Sequence, residues 1–247
     1  MNNISYGRVA VLMGGISNER EISLKSGQAV LGALKELSID AQVFDPKNEN
    51  FEKLNDFDCA FICLHGKDGE DGKIQTYLDK IGLRYTGSGA KASYYGMNKY
   101  ESKVIWASSN IPTPRFFLID HQTNYKEIVK KLDKPFFVKA SNSGSSLGTY
   151  KISDEEQFKI AYSKALEIDN VIFAEENISG RELTIPIVNK ETLPIIEIIP
   201  KEDFYNYEAK YVRDDTEFIC PAIIEKKLKD QLDKIALESF DAIGCSS

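Results

Sequence analysis

A chain of 247 residues with 42% hydrophobic and 28% charged side chains has the composition of an ordinary soluble globular protein and the length for two or three compact units. Its net charge of −7 speaks against a surface built for nucleic acid or for an acidic membrane. No apolar run is long enough to span a bilayer, and the polar start followed by a short apolar run at residues 9–13 does not make a signal peptide, which predicts a cytoplasmic protein.

The first third alternates strand and helix. Residues 8–13 predict a strand, Gly14 and Gly15 a turn with Ser17 as N-cap, and Ile22, Ala29, Val30, Ala33, Leu34 and Leu37 one face of the following helix. Strands at 41–44 and 59–64 and a helix over 73–81 continue the βαβ order. A parallel sheet with helices on its faces is expected, with ligands collecting at the carboxyl ends of its strands. Cys59 and Cys63 point to one face of their strand; with Cys220 and Cys245 they form neither a pairing nor a zinc pattern, as expected of free thiols. A linker at 86–89 leads to a helix over 97–108 that Pro112 and Pro114 end. A strand at 115–119, a helix at 125–132 and a hairpin around Lys139 follow. Ser153 and Glu156 read as a capping box for a helix reaching about Leu166. Strands then dominate, at 171–175, 182–188, 193–199 and 217–219, before a last helix over 224–243 with Leu228, Leu232, Ile235 and Ile243 on an apolar stripe.

Residues 134–150 carry the strongest chemical signal. An apolar strand delivers Lys139, and a loop of small hydroxyl and glycine residues, Ser-Asn-Ser-Gly-Ser-Ser-Leu-Gly, precedes the next strand. Glycines let backbone N–H groups turn towards one point and serines add short donors, so such a loop can wrap a phosphate chain beside the lysine. A plain hairpin with a long polar loop is the competing reading, although tight hairpins need only two to about five loop residues. Little besides Leu147 would hold this loop when it is empty, which makes it a candidate lid. Neither the P-loop spacing nor a Gly-x-Gly-x-x-Gly occurs.

Weaker signals accompany it. His65 follows an apolar strand and opens a glycine-rich turn, where it can meet a ligand; a turn of good turn-formers, with Asp71 capping the next helix, explains the same residues. Glu19 sits at a helix mouth, stabilised by the helix dipole or available to a substrate ammonium. Residues 204–211 are rich in aromatics yet broken by Asn206, Glu208 and Lys210, as in a loop that covers a site, with Lys210 able to reach a phosphate. Residues 175–178 and Glu182 could read a purine edge and a sugar hydroxyl, or simply form a strand, turn and strand. His121, in a polar turn, is expected to be solvated.

In this order, residues 14–26, 64–75, 85–99, 136–148, 180–184 and 204–222 resemble the D-alanine–D-alanine ligases, ATP-grasp enzymes of peptidoglycan precursor synthesis. The likeness implies an α/β fold: an N-terminal parallel α/β (pre-ATP-grasp) domain at 1–95, then an ATP-grasp region with antiparallel sheets, divided at 96–180 and 181–247. It implies phosphorylation of one D-alanine carboxylate by ATP and attack by the amine of a second. Glu19 would bind the first substrate's ammonium, with His65 near its carboxyl group, and Glu19, Ser145 and Tyr211 would be linked by hydrogen bonds. Lys99, Lys139, Lys210 and Ser146 would contact phosphate, Glu175, Glu176 and Ile178 adenine, and Glu182 ribose. Three lysines can neutralise a triphosphate, and closed loops protect an acyl phosphate from water.

Three departures stand out. Ala140 replaces the family's usual proline, Glu176 stands where relatives often carry lysine, and the family's terminal segment, with its arginine and its magnesium-holding carboxylates, would lie beyond Ser247. The chain as given is therefore expected to lack a metal site and ligase turnover, to be C-terminally incomplete, and to need magnesium when complete. A homodimer is the family's common state. Two rivals remain: a ligase joining D-alanine to a hydroxy acid such as D-lactate, against which Tyr211 speaks, and a non-catalytic nucleotide-binding chain.

Overall fold

The computed structural model describes residues 6–201, 205, 209–210 and 212–246, in two compact units: Met1–Gly96 with Gly244–Ser247, and Met97–Ile243.

The first unit is a four-stranded parallel sheet. Val9–Leu12 (β1) pairs with Ala41–Phe44 (β2) on one side and Cys59–Ile62 (β3) on the other, and Arg84–Tyr85 (β4) adds the far edge beyond β3. β1 is apolar throughout because both its faces are covered. Val9 and Val11, with Met13, point towards helix Arg20–Glu36 (α1), joining Leu31, Ala41 and Cys63. Ala10 and Leu12 point the other way, towards Leu54, Ala60, Ile74 and Leu78, the last two on helix Lys73–Ile81 (α2).

Three local expectations change here. Ser17 does not cap α1: Glu19 occupies the N-cap, and Ser17 Oγ accepts the Glu19 N–H at 3.2 Å. The inner face of α1 is Ser23, Gly27 and Leu31 with Leu24, Val30 and Leu34, whereas Leu37 is exposed. Small residues let the helix lie close to the sheet, so its buried face is not its most apolar one. Gly72, not Asp71, caps α2; Asp71 instead accepts the N–H groups of Asp68 and Lys73.

The second unit opens with helix Lys99–Ser108 (α4), separated by Asn98 from helix Ala90–Met97 (α3), which the expected single helix over 97–108 missed. Its main sheet is antiparallel, in the order Phe116–Leu118 (β5), Ile172–Glu176 (β8), Phe136–Ala140 (β6), Thr149–Ile152 (β7). Strand alternation divides β6: Phe136, Val138 and Ala140 enter a core with Ile128 and Leu132 of helix Tyr125–Leu132 (α5) and Phe158, Ala161 and Ala165 of helix Glu155–Leu166 (α6). Phe137 and Lys139 therefore face the opposite side. The capping box of α6 lies one residue later than expected: Asp154 accepts the Gln157 N–H at 2.8 Å while Gln157 Oε1 accepts the Ser153 N–H at 2.9 Å.

Further on, the expected strand at 182–188 is two, Glu182–Thr184 (β9) and Ile187–Val188 (β10), interrupted at Pro186. Glu191–Thr192 (β11) pairs with β10. Ile196–Ile199 (β12), shorter than the expected 193–199, lies between β9 and Glu217–Ile219 (β13). Helix Lys226–Ala242 (α7) buries none of its residues, and Trp106 Nε1–H donates to Ser239 O at 3.1 Å. No described helix is long and apolar enough to cross a membrane.

Candidate functional site

In the second unit the face of the antiparallel sheet opposite its core collects cations. The pleat carries Lys139 of β6 and Glu175 of β8 to that face, where they form an ion pair. On α4, Lys99 and Lys103 are four residues apart and share a helix face. Lys99 Nζ donates to the Ser143 carbonyl, with Ser143 Oγ at 3.3 Å and Ser141 O at 3.4 Å. Burial first, then the like charges of Lys139 and Lys210, push the Lys99 ammonium down from 10.5 to about 8, against Asp169 and Glu175. Lys210 also lies over the Tyr205 ring, 5.2 Å from its centroid.

The loop between β6 and β7 is held more firmly than its composition suggests. Ser141 is fully buried; its Oγ donates to Asn98 Oδ1 at 2.6 Å and accepts the Tyr100 N–H at 3.1 Å. Asn142 donates from both its backbone and its side chain to Asp169 Oδ2, and Ser143 Oγ bonds Leu147 O at 2.8 Å. At the base, the Ala140 N–H donates to Gly148 O at 2.9 Å, a bond that proline at 140 could not make. Apart from Gly148, only the tip has left-handed backbone: Ser145 and Ser146 have φ of 54° and 61°, a region unfavourable for a side-chain-bearing residue. Ser146 Oγ donates to Tyr205 O at 3.1 Å.

Of the purine-edge candidates, Glu175 is buried between Lys139 and Lys103, and Ile178 is exposed. Glu176 is taken by Arg115, which reaches it with its guanidinium at 2.7 Å and its N–H at 3.1 Å; these hydrogen bonds hold its carboxyl below the usual range. Glu182 is exposed on β9. Tyr211 and the aromatics Phe204 and Tyr207 lie outside the described residues.

In the first unit, Glu19 and His65 come together at the carboxyl ends of β1 and β3. Glu19 is buried, and its Oε2 sits 2.3 Å from where a Cβ on residue 66 would be, so only glycine fits between them; Gly66 also has φ of 67°. Ser17 Oγ donates to the His65 carbonyl at 2.7 Å. The His65 ring lies between Ser26 Oγ, 3.2 Å from Nε2, and Glu70 Oε1, 3.6 Å from Nδ1. Glu70 first, and Glu19 more weakly, raise its pKa against the effect of burial. A cavity of 140 Å³ opens beside this ring, lined by Gly14, Gly15, Ser17, Lys67 and Asp68 with apolar Phe51 and Ile74.

Asp45 anchors the loop that carries Glu19. It accepts two hydrogen bonds from Arg20, at 2.6 and 3.1 Å, and the N–H groups of Gly15 and Lys47, each at 3.0 Å. Burial alone would raise its pKa, but Arg20 and these donors lower it to about 2. Neither Asp45 nor Lys103 was picked out by sequence patterning. Among the described residues no group of three or more His, Cys, Asp or Glu side chains could hold a metal ion. His121 is exposed.

Residues 105–247 match the family described as D-ala D-ala ligase C-terminus and residues 39–88 that described as D-ala D-ala ligase N-terminus. D-alanine--D-alanine ligase B of Chromobacterium violaceum is 40% identical over 242 residues, 97% of this chain and 80% of the relative. D-alanine--D-alanine ligase of Acinetobacter baumannii (strain AYE) is 42% identical over 245 residues, 98% of this chain and 80% of the relative. The crystal structure of D-alanine--D-alanine ligase from Bacillus anthracis superposes with a TM-score of 0.85 at 31% identity, and its complex with ATP with 0.84 at 29% identity. Each covers 97% of this chain and 79% of the solved one.

Proposed function

The chain belongs to the D-alanine–D-alanine ligase family, and from that premise we propose that it joins two D-alanine molecules at the expense of ATP, supplying the dipeptide for peptidoglycan precursors in the cytoplasm. The observation that carries the nucleotide end is the gathering of Lys99, Lys139 and Lys210 beside the 141–148 loop, with one ammonium depressed to about 8 by burial and by its like-charged neighbours. A polyphosphate is the ligand such a cluster suits. In this reading Ser146 adds a lid donor, Glu175, Glu176 and Ile178 border the adenine, and Glu182 takes the ribose. The nucleotide would be gripped between segments 96–180 and 181–247.

For the amino acid end, Glu19 receives the ammonium of the first D-alanine and His65, its pKa raised by Glu70, lies near its carboxyl group. The γ-phosphoryl group passes to that carboxylate as its bond to ADP breaks. The amine of a second D-alanine then attacks the acyl carbon, phosphate leaves with the C–O bond, and the amine gives up a proton. Glu19, Ser145 and Tyr211 are the proposed catalytic residues. Excluding water is the loops' part, because an acyl phosphate hydrolyses readily. Among the described residues no group of three or more His, Cys, Asp or Glu side chains fits the magnesium the family uses. A second reading, a chain that binds nucleotide without turnover, needs only the lysine cluster.

Calorimetry with ATP, together with a coupled ADP-release assay in D-alanine and magnesium and mass spectrometry of the product, tests both. Dipeptide formation establishes the ligase, and binding without product favours the second reading. Failure to bind ATP refutes both, and a mixed ester formed with D-lactate would reassign the second substrate.

A further inference from the structure

Lys103 is the only buried lysine among the described residues, at 4% exposure. Its ammonium lies 2.9 Å from Glu175 Oε2 and 2.6 Å from Thr113 Oγ1, and 4.8 Å from the centroid of the Phe116 ring. Lys139 holds the other oxygen of the same carboxylate. One buried carboxylate thus serves two ammonium groups.

Burying an ammonium is costly, and an apolar side chain would fill the space between α4 and β5 with less penalty. The charge therefore calls for a use. A Lys139–Glu175 pair alone is neutral and exerts little pull on an anion. We propose that Lys103 is a positioning residue for nucleotide binding: by compensating the Glu175 carboxylate from the protein side, it leaves Lys139 with its positive charge for a polyphosphate. This inference rests on the nucleotide reading of the lysine cluster and deepens it.

Two features support it. Lys103 has its hydrogen bonds and its ring contact directed into the protein, so it acts through Glu175 and not as a further phosphate contact. Burial lowers its pKa and Lys139 lowers it further, while Glu175 opposes both, so the carboxylate is the group that favours the charged form of the buried lysine.

The alternative is a brace that only holds α4 against the sheet. Calorimetric dissociation constants of the 247-residue chain for ATP, ADP and adenosine separate the two. Lys103→Met keeps a long stem and removes the charge. It should weaken ATP about ten-fold or more, as expected for losing a charge's influence on a charge-assisted contact, weaken ADP less, and leave adenosine unchanged. An equal loss for all three ligands, or none for any, overturns the proposal. Should Lys103→Met fail to fold, Glu175→Gln gives the answer from the other side. With no carboxylate to compensate, the preference for ATP over adenosine should hold or grow, and a fall in that preference overturns the proposal. Wild-type protein that binds none of the three sinks the nucleotide reading itself, and the role of Lys103 with it.

Discussion

Lys99 has its proton affinity set by its surroundings, and that makes the phosphate reading testable by pH alone. Its pKa falls to about 8 because burial disfavours the charge and Lys139 and Lys210 repel it. A phosphate contact requires the ammonium. Binding raises the pKa of the group that makes the contact, so affinity for ATP should be level below about pH 7.5, begin to fall near 8, and keep falling until the higher pKa of the complex is passed. Lys99→Arg, which stays charged throughout, should flatten that fall. A wild-type affinity that stays level between about pH 7 and 9.5 would show that Lys99 meets no phosphate. The stability effect has the opposite sense: the unfolded lysine binds its proton more tightly, so the penalty of burying the charge is full below about 8 and is relieved as pH rises towards 10.5. Lys139 and Lys210 could be read from sequence because each stands beside turn-forming or aromatic neighbours. Lys103 could not, since a lysine on a helix is ordinarily solvated; its one signal was the four-residue spacing from Lys99. Asp45 escaped for a similar reason, being one carboxylate in the polar stretch that ends β2.

At the scale of elements, the strands and helices flanking the sites were legible because their apolar runs are long for their role and their turns are glycine-rich. The hairpin at Lys139 and α2 match their expected limits at one residue or better. What failed was orientation. Helix α1 was expected to bury Ala29 and Ala33, and it buries Ser23 and Gly27 instead, since close packing selects small residues as strongly as apolar ones. A Cβ on residue 27 would lie 2.4 Å from Met13 Cβ, at the end of β1, so the helix cannot stay where it is if that position gains a methyl group. Two effects then compete in Gly27→Ala. Alanine favours the helix by about 0.8–1 kcal/mol, while overpacking a well-filled contact costs about 1–3 kcal/mol. The clash is with the root of the Met13 side chain and not its flexible end, so strain should win, with a net loss of about 1 kcal/mol in urea unfolding. A variant more stable than the wild type would mean that α1 can slide on the sheet. The 141–148 loop carries the complementary lesson. Its composition suggested a loose lid, yet the buried Ser141 and Ser143 pin its start, and left-handed backbone is confined to Ser145, Ser146 and Gly148. Hydroxyls that would be solvated in a plain loop serve here as anchors, which no local pattern reveals.

For the molecule as a whole, the acidic balance makes its response to low pH depend on which carboxylates are held charged by the fold. Glu176 and Asp215 are each lowered by a neighbouring arginine, through hydrogen bonds first, but water screens such surface pairs and each adds little. Asp45 differs: its side chain is only 11% exposed, and its five donors, Arg20 with two, Gly15, Lys47 and Asn48, outweigh the cost of burial. The folded pKa of about 2 lies below the ordinary 3.8. A depressed carboxylate contributes stability that is complete above the unfolded value and is lost as pH falls through the folded one, so the window runs from about 4 down to about 2. The shift corresponds to roughly 2 kcal/mol, of which little should survive at the lower end. Asp45→Asn keeps the shape and most acceptor capacity while removing the charge. Urea unfolding should therefore show it weaker than the wild type by roughly 2 kcal/mol near pH 6 and nearly equal to it near pH 2. Because Asp45 also ties Gly15 and Arg20 to the end of β2, the variant should loosen the loop carrying Glu19, and D-alanine binding at neutral pH should weaken along with stability. A gap that stays constant from pH 6 to pH 2 would show that the Asp45→Asn variant fails through lost packing and not lost charge, and the electrostatic account of this anchor would have to be abandoned.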